Sequence, residues 1–168
     1  MKVNDLIAKR RSIRKYKMNS PITNEEIKTI LTAGMMAPSA CNKRPWEFMV
    51  IESEEAKEKV LRIHPHAKHF ESASAGILVC ARPELQAGIS EGYFPQDCGA
   101  VIQNMLLQAT ELGLGTCWCG IYPRMDRVEL FKNEFNLDSV PVALIIIGKA
   151  DEEPEAKGFY EESKVRFI

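Results

Sequence analysis

Apolar and polar positions recur along this chain with two different periods, and the changes of period mark its elements. Val3, Leu6 and Ile7 make a short apolar stripe that Arg10, Arg11, Ser12, Ile13 and Arg14 interrupt with three cations in five residues. Thr23 and Glu26 stand at capping-box spacing ahead of Ile27, Ile30 and Leu31 on one helical face, which predicts a helix over 24–36. Pro38-Ser39-Ala40 ends it and opens a loop. Residues 47–51 read as a buried strand, Ser53 as the cap of a helix reaching about residue 63, and 75–81 as a second strand. Val101, Ile102, Met105, Leu106, Ala109 and Leu112 recur at steps of three and four around much of a helix, so this element is expected inside the core. Gly113 follows where a left-handed cap is needed. A strand near 116–119, a helix carrying Val128, Phe131 and Phe135, and a buried strand over 142–147 complete the body. After Gly148 the chain has little apolar content until Val165, Phe167 and Ile168. Such a segment cannot build a core of its own, so it is expected to be disordered or to lie on another surface, in a dimer the partner's.

Composition narrows the class. A chain of 168 residues fits one domain over 1–168, and a net charge of -1 offers no bulk attraction to nucleic acid or a membrane surface. The purely apolar run Val142 to Ile147 is too short to cross a bilayer, and the N-terminal segment lacks an apolar core of signal-peptide length, so a cytoplasmic protein is expected. Cys41, Cys80, Cys98, Cys117 and Cys119 are odd in number and show no C-x-x-C spacing, which favours reduced, buried thiols over a disulfide framework or a zinc site.

Arg10, Arg11, Ser12 and Arg14 supply the donors a phosphate needs, yet cations at a helix C-terminus also simply complement its dipole. Pro38-Ser39-Ala40-Cys41-Asn42, with Arg44-Pro45-Trp46 beyond, exposes backbone and an amide against which a flat aromatic ligand could lie; the alternative is a plain helix-to-strand connection. Gly113-Leu114-Gly115-Thr116-Cys117-Trp118 lacks the third glycine of a dinucleotide fingerprint, and Gly120 leaves the backbone of Cys117-Trp118-Cys119 open to a ring system. His64, His66 and His69 invite a metal reading, but Glu71 is the sole carboxylate or thiol nearby in sequence, and no metal is expected. Motifs for phosphate loops, serine hydrolysis and zinc proteolysis are missing, so any chemistry is expected to belong to a cofactor.

Taken in order, R-R-S-I-R at Arg10 to Arg14, A-P-S-A at Ala37 to Ala40 with Asn42 and Pro45-Trp46, H-P-H-A-K at His64 to Lys68, Q-D-C-G-A-x-I-Q-N-M at Gln96 to Met105 and G-L-G-T-C-W at Gly113 to Trp118 cover nearly the whole chain. With these motifs the sequence resembles the short, single-domain branch of the nitroreductase family. The resemblance implies an α+β fold with a central mixed β-sheet flanked by helices. It also implies an intertwined homodimer in which each FMN touches both chains and residues 149–168 form an arm on the partner subunit. Arg10, Ser12 and Arg14, helped by Arg11, would hold the ribityl chain, phosphate and pyrimidine edge. Pro38, Ser39, Ala40 and Asn42 from the other subunit would pack on or hydrogen-bond to the cofactor, and Trp118, Cys119 and Gly120 would lie beside the reactive flavin nitrogen.

Two departures stand out. Where the family tail carries a K-x-R pair that reaches the phosphate, Lys157-Gly158-Phe159 keeps the first cation and loses the second, and Lys164-Val165-Arg166 has the spacing later; Lys157 is the residue assigned. Ser74 replaces a proline frequent in relatives. The implied activity is hydride transfer from NADH or NADPH and delivery of two electrons to a small acceptor, nitroaromatic or quinone, by a ping-pong cycle. The flavin would carry the chemistry, leaving no catalytic side chain, with Cys117 and Cys119 as packing. The rival readings are an FMN carrier or sensor without turnover and another flavin chemistry on the same fold, and the segment 82–96 is expected to shape the pocket as a loop.

Overall fold

A computed structural model describes residues 3–158 and 160–168, so Phe159 of the Lys157-Gly158-Phe159 segment lies outside the described residues. The chain folds as α1 (Asp5–Lys9), α2 (Asn24–Met35), β1 (Trp46–Ile51), α3 (Glu54–Ile63), β2 (Ala75–Ala81), α4 (Phe94–Glu111), β3 (Gly115–Gly120), α5 (Met125–Phe135) and β4 (Val140–Gly148), joined by short 3-10 turns.

The local signals act as the spacing predicts. The Thr23 hydroxyl accepts the Glu26 N–H at 3.2 Å while the Glu26 carboxylate takes the Thr23 N–H at 2.7 Å, closing the capping box of α2. Ser53 caps α3 through the Ala56 N–H, and Gly113 turns out of α4 with φ 73°, where a β-carbon would be strained. One boundary differs. α4 begins at Phe94, ahead of the apolar periodicity, because Pro95 needs no hydrogen-bond acceptor in a first turn and Asp97 complements the helix dipole there. The expected loop over 82–96 therefore stops at Tyr93, and it holds two 3-10 turns, Pro83–Leu85 and Gly88–Ser90.

The four strands form one sheet in the order β1-β2-β4-β3, every neighbouring pair antiparallel. The sheet expected to be mixed is thus antiparallel across its four strands, and an isolated parallel bridge between Ser12 and Thr116 sets the N-terminal segment beside the β3 edge. β2 is buried at all positions because helices cover both faces of the sheet and alternation sends its side chains into two separate cores. On one face Ile77, Val79, Ile145 and Ile147 pack against Ile27 and Ile30 of α2 and Val101, Ile102 and Met105 of α4. On the other, Leu78, Leu144 and Ile146 pack with Val60 of α3, Val128 and Phe131 of α5, Phe70 and Tyr16. Phe70 needs a glycine beneath it: a β-carbon at Gly76 would meet the Phe70 ring at 2.7 Å. Ser74 gives its backbone N–H to the Ile147 carbonyl at 3.1 Å and its hydroxyl to the Ser20 carbonyl at 2.7 Å, two bonds a proline could not donate.

Beyond β4 the chain first returns to its own N-terminal segment. Ala150 bridges Tyr16, Asp151 N–H reaches the Lys15 carbonyl at 2.9 Å, and the Glu152 carboxylate accepts the backbone N–H groups of Arg14 and Lys15. No described residue after Gly148 is fully buried, and Phe167 and Ile168 project into solvent. Among the described residues no helix is long and apolar enough to cross a membrane.

Candidate functional site

α1 ends at Lys9 with Arg10 as its C-cap, and the basic residues here separate into two roles. Arg11 folds back to donate to the carbonyls of Arg10 at 3.0 Å and Ala8 at 2.9 Å, so it caps the helix C-terminus. Among the described residues neither Arg10 nor Arg14 has a carboxylate partner for its side chain. The segment then docks on the edge of β3: Ile13 donates its N–H to the Thr116 carbonyl at 2.8 Å and packs where Gly115 lacks a side chain, its atoms 2.9–3.0 Å from the β-carbon position. Gly115 thus lets the Ser12–Ile13 segment approach the strand.

Alternation along β3 sends Trp118 to the α4 side, half-exposed beside Gly99, and turns Cys117 and Cys119 into the opposite core. Cys119 can therefore face a ligand on the Trp118 side only through its backbone. Nothing lies within 4 Å of the β-carbon position at Gly120, leaving open space beside the strand's end, and the Gly120 carbonyl is held by Arg127 at 2.7 Å.

Pro38 to Asn42 form a separate group. In the 3-10 turn Ala40–Asn42 and just after it, Cys41, Asn42 and Arg44 have φ of 50°, 52° and 51°, a left-handed conformation that costs each roughly 1–2 kcal/mol. The turn persists because its surroundings grip it: Arg44 N–H reaches Ser39 Oγ at 2.9 Å and the Arg44 guanidinium the Met35 carbonyl at 2.8 Å. Asp97, buried in the first turn of α4, accepts the Ala40 N–H at 3.0 Å and, through its other oxygen, the Gln86 side-chain amide at 2.6 Å. Strain stored in a loop that leaves Asn42 exposed is the pattern of a ligand-contacting segment. Asp97 and Gln86 are anchors the sequence reading missed; Asp97 sits inside the Gln96–Met105 motif, but no spacing tied it to Ala40.

The fold thus sets Ser12 and Ile13, with Arg14 following, on the edge of the strand that runs on through Trp118, Cys119 and Gly120, and keeps Pro38 to Asn42 at the start of α4. No hydrogen bond or ion pair links the two groups among the described residues. Lys157 and Arg166 are exposed, and Lys164 pairs with Glu161 at 2.8 Å. A cleft of about 810 Å³ between the end of α1 and residues 150–156 takes in Arg11 but is lined by Glu152, Glu153 and Glu155, which oppose an anion, and excludes Ser12, Arg14 and Trp118.

The histidines do not converge. Buried His64 points Nε2 at the Gly120 carbonyl, 3.2 Å away, and accepts the His66 N–H at Nδ1; burial, then the Arg127 charge, lowers its pKa below the ordinary imidazole value. His69 instead reaches β3, where its Nε2 stands 3.8 Å from Cys119 Sγ, so the thiols missing from the histidine segment are supplied in space. Cys117 is lowered to about 5, first because Cys119 hydrogen-bonds to it and further by His69, while the same bond and burial raise Cys119. Burial, then the two thiols, raises the Tyr16 phenol above its usual value.

An α+β domain with a carboxylate-free cation pair docked on an edge strand, open backbone beyond it and a strained polar loop elsewhere has the donor chemistry of an anion- and ring-binding protein. The profile described as the Nitroreductase family matches residues 7–69 and 64–149, and the chain belongs to that family. It is 36% identical over 167 residues to a protein provisionally named NADH dehydrogenase/NAD(P)H nitroreductase from Methanothermobacter thermautotrophicus, covering 98% of this chain and 86% of that one. Its fold matches the FMN-dependent nitroreductase of Clostridium difficile R20291 with a TM-score of 0.82, at 30% identity and 96% coverage of each chain. A protein of Desulfovibrio desulfuricans provisionally named a nitroreductase and solved in complex with FMN matches with a TM-score of 0.84, at 26% identity and covering 99% of this chain and 98% of that one.

Proposed function

We propose that this chain is a cytoplasmic, FMN-dependent oxidoreductase that takes hydride from NADH or NADPH and passes two electrons to a small nitroaromatic or quinone acceptor in a ping-pong cycle. It would act as a homodimer with FMN at the subunit interface. The observation that carries this reading is the divided site: among the described residues the Arg10 and Arg14 side chains have no carboxylate partner, while the strained Pro38–Asn42 loop faces solvent elsewhere on the same protomer. A ligand that needs both groups is reached when a second copy brings its loop to the first copy's arginines. The solvent-exposed Met36, Phe167 and Ile168 are apolar surface that such an arrangement would cover. Five free cysteines suit a reducing compartment.

Bound FMN would supply a ring that accepts and releases hydride at one nitrogen. Arg10 and Ser12 would hold the phosphate and ribityl chain, and Lys157 would add a cation from the arm. Arg14, with Asn42 of the second copy, would stabilise negative charge at the pyrimidine edge, an electrostatic contribution that needs no proton-transferring side chain. Pro38, Ser39 and Ala40 of that copy would press on the ring, and Trp118, Cys119 and Gly120 would border the hydride-accepting edge.

An absorbance spectrum of the purified protein, with light-scattering mass on the same sample, tests the proposal. Flavin bands at one FMN per chain on a dimer, bleached by NADH or NADPH and restored by a quinone, are expected. A colourless monomer that takes up no added FMN would overturn it, and FMN that NAD(P)H never bleaches would favour the carrier reading.

A further inference from the structure

The side chains of His69, Cys117 and Cys119 form a group that the oxidoreductase reading, which takes only the backbone of Cys119, leaves unused. The two thiols lie on the face of β3 opposite Trp118, both buried, and the three ligand atoms lie within 4.8 Å of one another. We propose that these residues form a three-coordinate site for a soft monovalent cation, Cu(I).

Geometry decides between a metal and a disulfide. Residues i and i+2 of a strand project in parallel about 6.6–6.8 Å apart, whereas a disulfide needs β-carbons about 3.8 Å apart. Joining Cys117 to Cys119 would buckle a strand held in register with β4 at Ile146 and Leu144. A bridging ion needs no such collapse: metal–thiolate and metal–imidazole bonds of about 2.3 and 2.0 Å put trigonal ligand atoms about 3.7–4.0 Å apart. The Cys119 Sγ to His69 Nε2 separation is 3.8 Å.

The donor set selects the ion. Two thiolates and one imidazole are soft ligands, and among the described residues no fourth histidine, cysteine or carboxylate joins the group, so a tetrahedral Zn(II) site would be incomplete. With both sulfurs buried, a coordinating water has little access, which suits an ion content with three ligands. His69 is steadied by stacking on Tyr16, ring centroids 6.3 Å apart and planes at 18°. Binding Cu(I) forms two Cu–S bonds and one Cu–N bond, and any thiol proton still present passes to solvent; no electron is transferred.

The test is Cu(I) titration of the full-length protein under anaerobic conditions against a chromogenic Cu(I) chelator, repeated with Zn(II). Retention of one Cu(I) per chain is expected, with the same stoichiometry in Cys41→Ser, whose thiol is exposed, and its loss in the Cys117→Ser/Cys119→Ser double variant. His69→Gln leaves both thiols in place and should weaken binding by at least the about 10–100-fold that outer-sphere partners contribute. If the serine variant does not fold by circular dichroism, His69→Gln decides alone. Cu(I) binding that survives His69→Gln at full strength, disappears in Cys41→Ser, or gives way to tighter Zn(II) binding would overturn the assignment. Because the readout is chelator competition, the result does not depend on whether FMN is bound.

Discussion

The two faces of the sheet are built from the same strands yet do different work. The core against α2 and α4 is aliphatic and comes from two long helices with regular periodicity. The core on the opposite face joins shorter elements and the N-terminal segment, and it contains Tyr16, two thiols and the flanking His64 and His69. The first is a foundation; the second places chemistry directly behind the strand that carries the candidate site. The difference teaches that in this fold the buried tyrosine and the Cys117–Cys119 thiol pair gather on the side where β3 meets the N-terminal segment, while the opposite core holds the single thiol Cys98, so a lesion on the first side should reach function as well as stability.

The comparison breaks most severely at Phe70. Phe70→Ala empties the space above Gly76 and is expected to cost about 3–5 kcal/mol, read as a lower urea midpoint with unchanged slope. Ile102→Ala in the aliphatic core should cost about 2–5 kcal/mol and leave the Cys117–Cys119 pair's reactivity toward a thiol reagent as it was; altered reactivity would mean that the two cores are not independent.

The site can be separated from both. Arg10→Ala with Arg14→Ala is expected to weaken FMN binding by about 10–100-fold in a fluorescence titration, while the melting temperature of the flavin-free protein hardly moves, since among the described residues neither side chain has a carboxylate partner to lose. Asp97→Ala should cost about 1–3 kcal/mol because the Ala40 N–H and the Gln86 amide lose their acceptor, and it should weaken FMN binding through the loop it anchors. If FMN affinity is untouched while stability falls, the Pro38–Asn42 loop does not contact the cofactor.

Two smaller effects sharpen the contrast. Thr23→Ala removes one half of the α2 capping box and should cost about 1 kcal/mol on the aliphatic side alone. On the other side, pH acts through His64. The unfolded imidazole takes up its proton near about 6.5, and the folded one only at lower pH, so protons favour the unfolded chain. His64 should therefore contribute full stability above about pH 6.5 and lose it as pH falls through that value, and His64→Leu should flatten that part of a melting-temperature profile. An equally steep profile in the variant would assign the acid sensitivity to another group.

Most of the aliphatic half was legible in the sequence because its information is local. Thr23 and Glu26 announce a helix start through a bond between neighbours in the chain, and Val101 to Ala109 announce a buried face through spacing alone. The start of α4 escaped that reading because Phe94, Pro95 and Asp97 begin the helix without contributing to its apolar period. The order of motifs was likewise enough to identify the family. What the sequence could not disclose rests on distances that the chain order hides. Arg11 looked like Arg10 and Arg14 until the turn of α1 brought two carbonyls to its guanidinium, and Asp97 showed no link to Ala40 until α4 carried it there. His64, His66 and His69 are close in sequence and point to different places, whereas His69 and Cys119 are far apart in sequence and adjacent in space. Propensity and periodicity reflect interactions across three or four residues of the chain; contacts between a turn and an edge strand exist only once the sheet has closed, and the tertiary structure alone decided them.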